Sequence, residues 1–149
     1  MNDDRSEFQV TLPANASVIA VARTFAAAVA RTFACDEGSV EDLRIAVSEA
    51  LTNSIKAHHA DEVDAPIVLR VSADAARLTV EVVDDGSGID PAIARSEAAI
   101  TPPAGLQEGS LGLVLIRSLF PDTEISAGET GRGTTVRFSL SLDPVPAAR

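Results

Sequence analysis

The sequence is poor in several of the residues from which whole protein classes are built. It has no tryptophan and no tyrosine, and only five phenylalanines, so its core must be largely aliphatic. A single cysteine, Cys35, excludes an intrachain disulfide and cannot by itself assemble a zinc site, which points to a reducing compartment. Its position after Phe33 and Ala34 suits the core or a helix end. Lysine occurs once, at Lys56, so the phosphate-binding pattern GxxxxGK[ST] is absent. No apolar run approaches the length of a membrane span. The acidic, polar N-terminus, MNDDRSEFQV, is not that of a signal peptide. These absences together predict a cytoplasmic protein. Positive charge is scarce as well. Twelve basic residues against 22 acidic ones leave a formal net charge of −10, which argues against nucleic acid or an anionic membrane as the main partner. It leaves nucleotide binding open, because one local site with a metal ion outweighs a global field. It suits a partner with a basic surface.

What is present is enough for one domain. At 149 residues and 46% hydrophobic content, the chain can bury a single core and is not a disordered segment. Residues 1–6 read as a flexible leader, 7–141 as the folded domain and 142–149 as a Pro/Ala-rich tail. Glu7 to Leu12 alternates as a half-buried strand. A helix is expected from Asn15 or Ser17 to about Ala34, ended by Gly38. A second is expected from Val40 to about His59, with Ser39 and Asp42 as a variant capping box. Ile67–Val71 and Leu78–Val83 are strands whose short link predicts an antiparallel hairpin. Asp90 to Glu108, interrupted by Pro91, Pro102, Pro103 and Gly105, reads as a candidate lid with one short helix. Gly109 and Gly112 lead into an apolar helix (Leu113, Leu115, Ile116, Leu119). Asp122–Ala127 and Thr134–Leu140 close the domain as two strands.

Three stretches carry candidate chemistry. In VEVVDDGSGID, a strand ends in Asp84 and is followed by Gly86 and Gly88. That leaves a carboxylate at a buried edge beside backbone free to approach a flat ring, the carboxylate able to accept from an exocyclic amine. A strand running into an ordinary polar turn explains the same letters. On the second helix, Glu49 and Asn53 stand one turn apart, flanked by Ala46, Ala50 and Ala57, which leaves space beside the pair. A surface pair on an amphipathic helix is the alternative. His58 and His59 read as surface or helix-end residues. In GSLGLVLIRSLF, the glycine-bearing helix start would offer unpaired amides and a positive dipole end to phosphate. Gly133-Thr134 could add an amide and a hydroxyl, or be only a turn.

The order of these stretches is more specific than any one of them. A helix with Glu49 and Asn53, then Asp84-x-Gly86-x-Gly88, a lid, Gly109-x-x-Gly112-Leu113 and finally Gly133-Thr134 resembles the GHKL (histidine kinase-like, Bergerat) ATP-binding domain, over about Phe8 to Leu140. Within that superfamily the phrases IAVSEALTNSIK, VEVVDDGSGID and LGLVLIRSLF look most like RsbW-type anti-sigma-factor serine/threonine kinases.

The resemblance implies a two-layer α+β sandwich, with a mixed, largely antiparallel sheet and helices on one face. It implies ATP and Mg²⁺ as ligands. Asp84 would take the adenine amine, with Gly86 and Gly88 shaping the pocket. Asn53 would bind Mg²⁺, and Glu49 would act as base on the acceptor hydroxyl. Gly109, Ser110, Leu111, Gly112 and Leu113 would cradle phosphate, and Thr134 would line the site. Implied partners are an anti-anti-sigma STAS protein, whose serine or threonine is phosphorylated, an RNA polymerase sigma factor, and a second copy in a homodimer. No phosphoacceptor helix pair precedes the domain and no transducer domain follows, so the acceptor is expected on another protein. The sequence departs from the pattern at Ala57, often histidine, and at Ser110, usually glycine. It also has Gln107 and Glu108 where such kinases can carry an arginine, and no basic residue lies between Arg95 and Arg117. A non-catalytic anti-sigma module is therefore the alternative function.

Overall fold

The computed structural model describes residues 4–86, 108–128 and 132–142, with the backbone alone at 108–110. Five strands form one sheet in the order β1-β2-β3-β5-β4. They are β1 (Ser6–Leu12), β2 (Ile67–Ala73), β3 (Arg77–Asp84), β4 (Glu124–Ala127) and β5 (Thr134–Ser141), and every pairing among the described residues is antiparallel. Three helices, α1 (Ile19–Thr32), α2 (Glu37–Ala60) and α3 (Glu108–Leu119), cover one face, with α2 packed between α1 and α3. This is the α+β two-layer sandwich expected from the resemblance. Gly88 and the candidate lid, up to Gln107, lie outside the described residues.

The strand alternation produces the two layers. Ile67, Leu69 and Val71 of β2, Leu78, Val80 and Val82 of β3, and Val136 and Phe138 of β5 are buried toward the helices. The intervening residues form a polar outer face, where Arg70 pairs with Glu7 at 3.2 Å and Glu81 at 2.9 Å, and Arg137 stands 3.8 Å from Glu81. The helices meet the sheet through Val29, Val40, Leu43, Val47, Leu51 and Ile116. Many core residues of α1 and α2 are small, among them Ala22, Ala26, Ala30, Ala46 and Ala50. Such residues let helix axes approach closely. The few aromatics still matter: Phe120 and Phe138 pack with ring centroids 4.9 Å apart.

Helix boundaries differ from the sequence expectation in three places. Helix α1 ends at Thr32, close to the expected Ala34, but its stop is Ala34 and not Gly38: Ala34 turns left-handed (φ 59), and its amide and that of Cys35 return to the carbonyls of Arg31 and Ala30. This is the Schellman closure, made here without glycine. Helix α2 starts three residues early. Its N-cap is Asp36, whose carboxylate accepts from the Ser39 amide and hydroxyl, both at 2.9 Å, so Ser39 is the capped residue and not the cap. Those bonds, the amide first, hold the Asp36 carboxyl below the usual carboxylate range. Helix α3 starts at Glu108, so Gly109 to Gly112 lie inside it instead of ahead of it. The β2–β3 link is as predicted, closed by Asp74, whose Oδ1 accepts from the amides of Ala76 and Arg77 at 2.7 and 2.8 Å.

Candidate nucleotide site

The site is assembled along one side of α2. At its centre Asp84, the last residue of β3, is only 7% exposed. Among the described residues three donors hold its carboxylate. Ser54 Oγ donates to Oδ2 at 2.8 Å, and the amides of Gly86 and Thr134 donate to Oδ1 at 3.0 and 3.1 Å. A carboxylate offers about four lone-pair directions, so the described residues leave one acceptor position for an outside donor.

Glycine is required on both sides of this group. A side chain at Gly86 would come within 2.8 Å of the Ala57 methyl group. Gly133 has φ +80, and a Cβ there would sit 2.2 Å from the Asp84 carbonyl oxygen. Its amide donates to the Gly86 carbonyl at 2.7 Å. Thr134, opposite Asp84 in the β3–β5 register, is 7% exposed.

Further toward the N-terminus of α2, Asn53 and Glu49 are half-buried. Asn53 Nδ2 is buried and has no hydrogen-bond partner among the described residues. An unpaired buried amide is costly, roughly 1–3 kcal/mol, and a ligand oxygen would relieve it. Glu49 abuts α3: a Cβ at Gly112 would lie 2.6 Å from Glu49 Oε2. Leu113 is part of the core at 4% exposure, and Leu111 is 48% exposed on the helix surface. Gly109 and Ser110 fall in the first turn of α3. From Glu49 to Ser54, α2 rises by roughly 7.5 Å, so the Glu49/Gly112 contact and the Asp84 anchor form two ends of one elongated site.

Residues 12–140 match the histidine kinase-like ATPase domain family. The chain belongs to that family. Among its relatives is the serine-protein kinase RsbW of Bacillus cereus strain Q1, 32% identical over 83% of this chain and 79% of that one. The anti-sigma F factor of Clostridium botulinum is 30% identical over 70% of this chain and 72% of its own length. The resemblance to RsbW-type proteins thus extends over most of the chain. In fold, the chain is similar to a structure from the SiaB–SiaC complex of Pseudomonas aeruginosa, with a TM-score of 0.66 at 14% identity, over 89% of this chain and 88% of that one.

Among the predicted residues of this histidine kinase-like domain, Asp84, Gly86 and Thr134 form one hydrogen-bonded cluster and Glu49 meets Gly112. Two residues that hold this corner escaped the sequence reading. Ser54 supplies the hydroxyl that orients Asp84. His58, expected at the surface or a helix end, lies in the last turn of α2 but is 1% exposed and accepts the Asp85 amide through Nε2 at 3.0 Å. His59 is exposed, as expected, with Nε2 2.8 Å from the Ala14 carbonyl oxygen. A signal for the first two existed: Ser54 and His58 continue the apolar stripe of Ala46, Ala50 and Leu51 at helical spacing. A polar residue on a core-facing stripe requires a buried partner.

Proposed function

We propose that this chain is an ATP-binding anti-sigma factor that phosphorylates a serine or threonine of an anti-anti-sigma STAS protein and so governs release of a sigma factor. The observation that carries this reading is the buried Asp84 carboxylate, held by three donors with one acceptor direction free. That is the arrangement expected of a receptor for the exocyclic amine of adenine. The close glycines at 86 and 133 suit a flat ring, and Asn53, Ser54 and Ala57 line the same side of α2.

The residues fit the implied ligands. Asn53, with its unpaired amide, would hold Mg²⁺ through its carbonyl oxygen and offer its N–H₂ to a phosphate oxygen. Among the described residues no cluster of three or more His, Cys, Asp or Glu could hold a metal, so the ion would take its other ligands from phosphates and water, as magnesium commonly does. When bound, it neutralises charge on the phosphates. Glu49 would accept the acceptor hydroxyl's proton as that oxygen bonds to the γ-phosphorus and the bond to the β–γ bridging oxygen breaks. The first turn of α3, carrying Gly109 and Ser110, would direct amides and a positive dipole end at the same phosphates.

A second reading is a nucleotide-binding or nucleotide-free anti-sigma module without phosphotransfer, with homodimerisation common to both. Its support is the absence of any basic residue between Arg95 and Arg117, because cationic stabilisation of the moving phosphoryl group is a large part of such catalysis. Titration with Mg-ATP, with and without Asp84→Asn, tests the shared premise. Asn keeps Oδ1 for the two amides, and the Ser54 hydroxyl can reverse its role, so the variant should fold. Its N–H₂ meets the adenine amine donor to donor, and binding should fall at least about a hundredfold, some 2.7 kcal/mol. Normal ATP binding by this variant removes Asp84 from the site. Glu49→Gln should bind ATP normally and lose transfer to a STAS substrate. A wild-type protein that binds ATP but transfers nothing supports the second reading.

A further inference from the structure

The end of α2 holds the nucleotide corner residue by residue. Ser54 donates to Asp84, Ala57 stands against Gly86, and His58 accepts the amide of Asp85 between them. Pairing of β3 with β5 ends at Asp84 opposite Thr134, so the Asp85 amide has passed the last rung of the sheet. His58 Nε2 takes the place of the missing strand. Asp84 Oδ1 in turn accepts from the Gly86 amide, so the direction of the peptide between them governs where that carboxylate points.

The His58 ring is fully buried and its Nδ1 has no partner among the described residues. An apolar side chain would fill this volume without leaving a nitrogen unpaired. The feature that only an acceptor supplies is the bond to Asp85. Acceptance at Nε2 also sets the tautomer, with the proton of the neutral ring on Nδ1.

We propose that His58 is a positioning residue for the nucleotide site: it fixes the Asp85 peptide, and through it the aim of Asp84 at the base. The inference rests on the nucleotide reading above for its consequence, but its hydrogen bond can be tested without nucleotide. In the wild-type protein, nitrogen NMR should find His58 protonated on Nδ1 and coupled through Nε2 to the Asp85 amide. A ring protonated on Nε2 overturns the proposal, whether or not the protein binds ATP.

Two variants then separate positioning from packing. Gln at 58 can present Oε1 near the place of Nε2, whereas Leu fills the volume without an acceptor. His58→Leu should speed exchange of the Asp85 amide and weaken Mg-ATP binding about tenfold or more. His58→Gln should keep both within about threefold of wild type. Equal binding by wild type and His58→Leu, or equal loss in both variants, overturns the role. Should the Leu variant not fold, the tautomer and the Gln variant decide it. Failure of the wild type to bind ATP, with the Asp85 bond intact, would instead count against the nucleotide reading.

Discussion

At the scale of single residues, the two ends of the site respond to substitution in different ways. Asp84 Oδ1 is held by two backbone amides, which cannot move without displacing the strand ends. Glu49 is a flexible side chain whose carboxylate meets α3 at Gly112. A methyl group at 112 would lie 2.6 Å from Glu49 Oε2, and the carboxylate would have to swing away. Within a helix, alanine in place of glycine gains about 1 kcal/mol. Gly112→Ala should therefore leave the melting temperature unchanged or raise it while lowering phosphotransfer about tenfold or more, because the base proposed at Glu49 would lose its alignment. Thermal melts beside a transfer assay check this. A variant that keeps full activity would show that Glu49 needs no clearance at Gly112.

At the scale of elements, α2 is the organising piece. It is central among the helices, contacts β3 and β5, and carries Ser54, Ala57 and His58, the side chains that meet the corner at residues 84–86. Its position depends on the turn that joins it to α1. In that turn Ala34, exposed and left-handed at φ 59, holds a conformation that costs an L-residue about 1–2 kcal/mol. Glycine adopts it freely, though its more mobile unfolded chain offsets part of the gain. Ala34→Gly should raise stability by about 0.5–1 kcal/mol in chemical denaturation, with an unchanged slope. A loss of stability would mean that the alanine methyl group contributes packing that outweighs its backbone strain. Arg31, in the last turn of α1, closes the same junction on its outer side by donating to both Glu37 carboxylate oxygens at 3.0 and 3.1 Å. This bond, ahead of the charge attraction, raises the arginine's pKa, and it lowers that of Glu37.

At the scale of the whole molecule, the elongated site draws on α2, β3, α3 and the start of β5, so the proposed nucleotide would tie together elements far apart in sequence. Ligand that binds only the folded chain stabilises it by mass action. At one hundred times the dissociation constant the gain is about 2.7 kcal/mol, or on the order of 5–10 °C for a domain of this size. Mg-ATP should raise the wild-type melting temperature by that amount and leave Asp84→Asn unmoved. An equal rise in both would place the nucleotide elsewhere. The net charge of −10 does not oppose this, since the polar outer face of the sheet carries its charges in alternation as Glu7, Arg70, Glu81 and Arg137.

The sequence by itself determined the layers and the place of the anchor. Strand alternation and helical stripes are local periodicities, so the sheet, its antiparallel hairpin and the burial of Asp84 at a strand end were readable from neighbouring residues. The order of the motifs was equally readable, because it is a property of connectivity. Helix ends were less so: Ala34 in place of a glycine cap and Asp36 ahead of Ser39 are choices among local competitors that packing decides. Only the tertiary structure determined how the site is held. Ser54 meets Asp84 across 30 residues, His58 meets Asp85 across 27, and the Thr134 amide reaches Asp84 across 50. A polar side chain on an apolar stripe announces that it needs a partner. The partner's identity follows from the register of a distant strand, which no local pattern encodes.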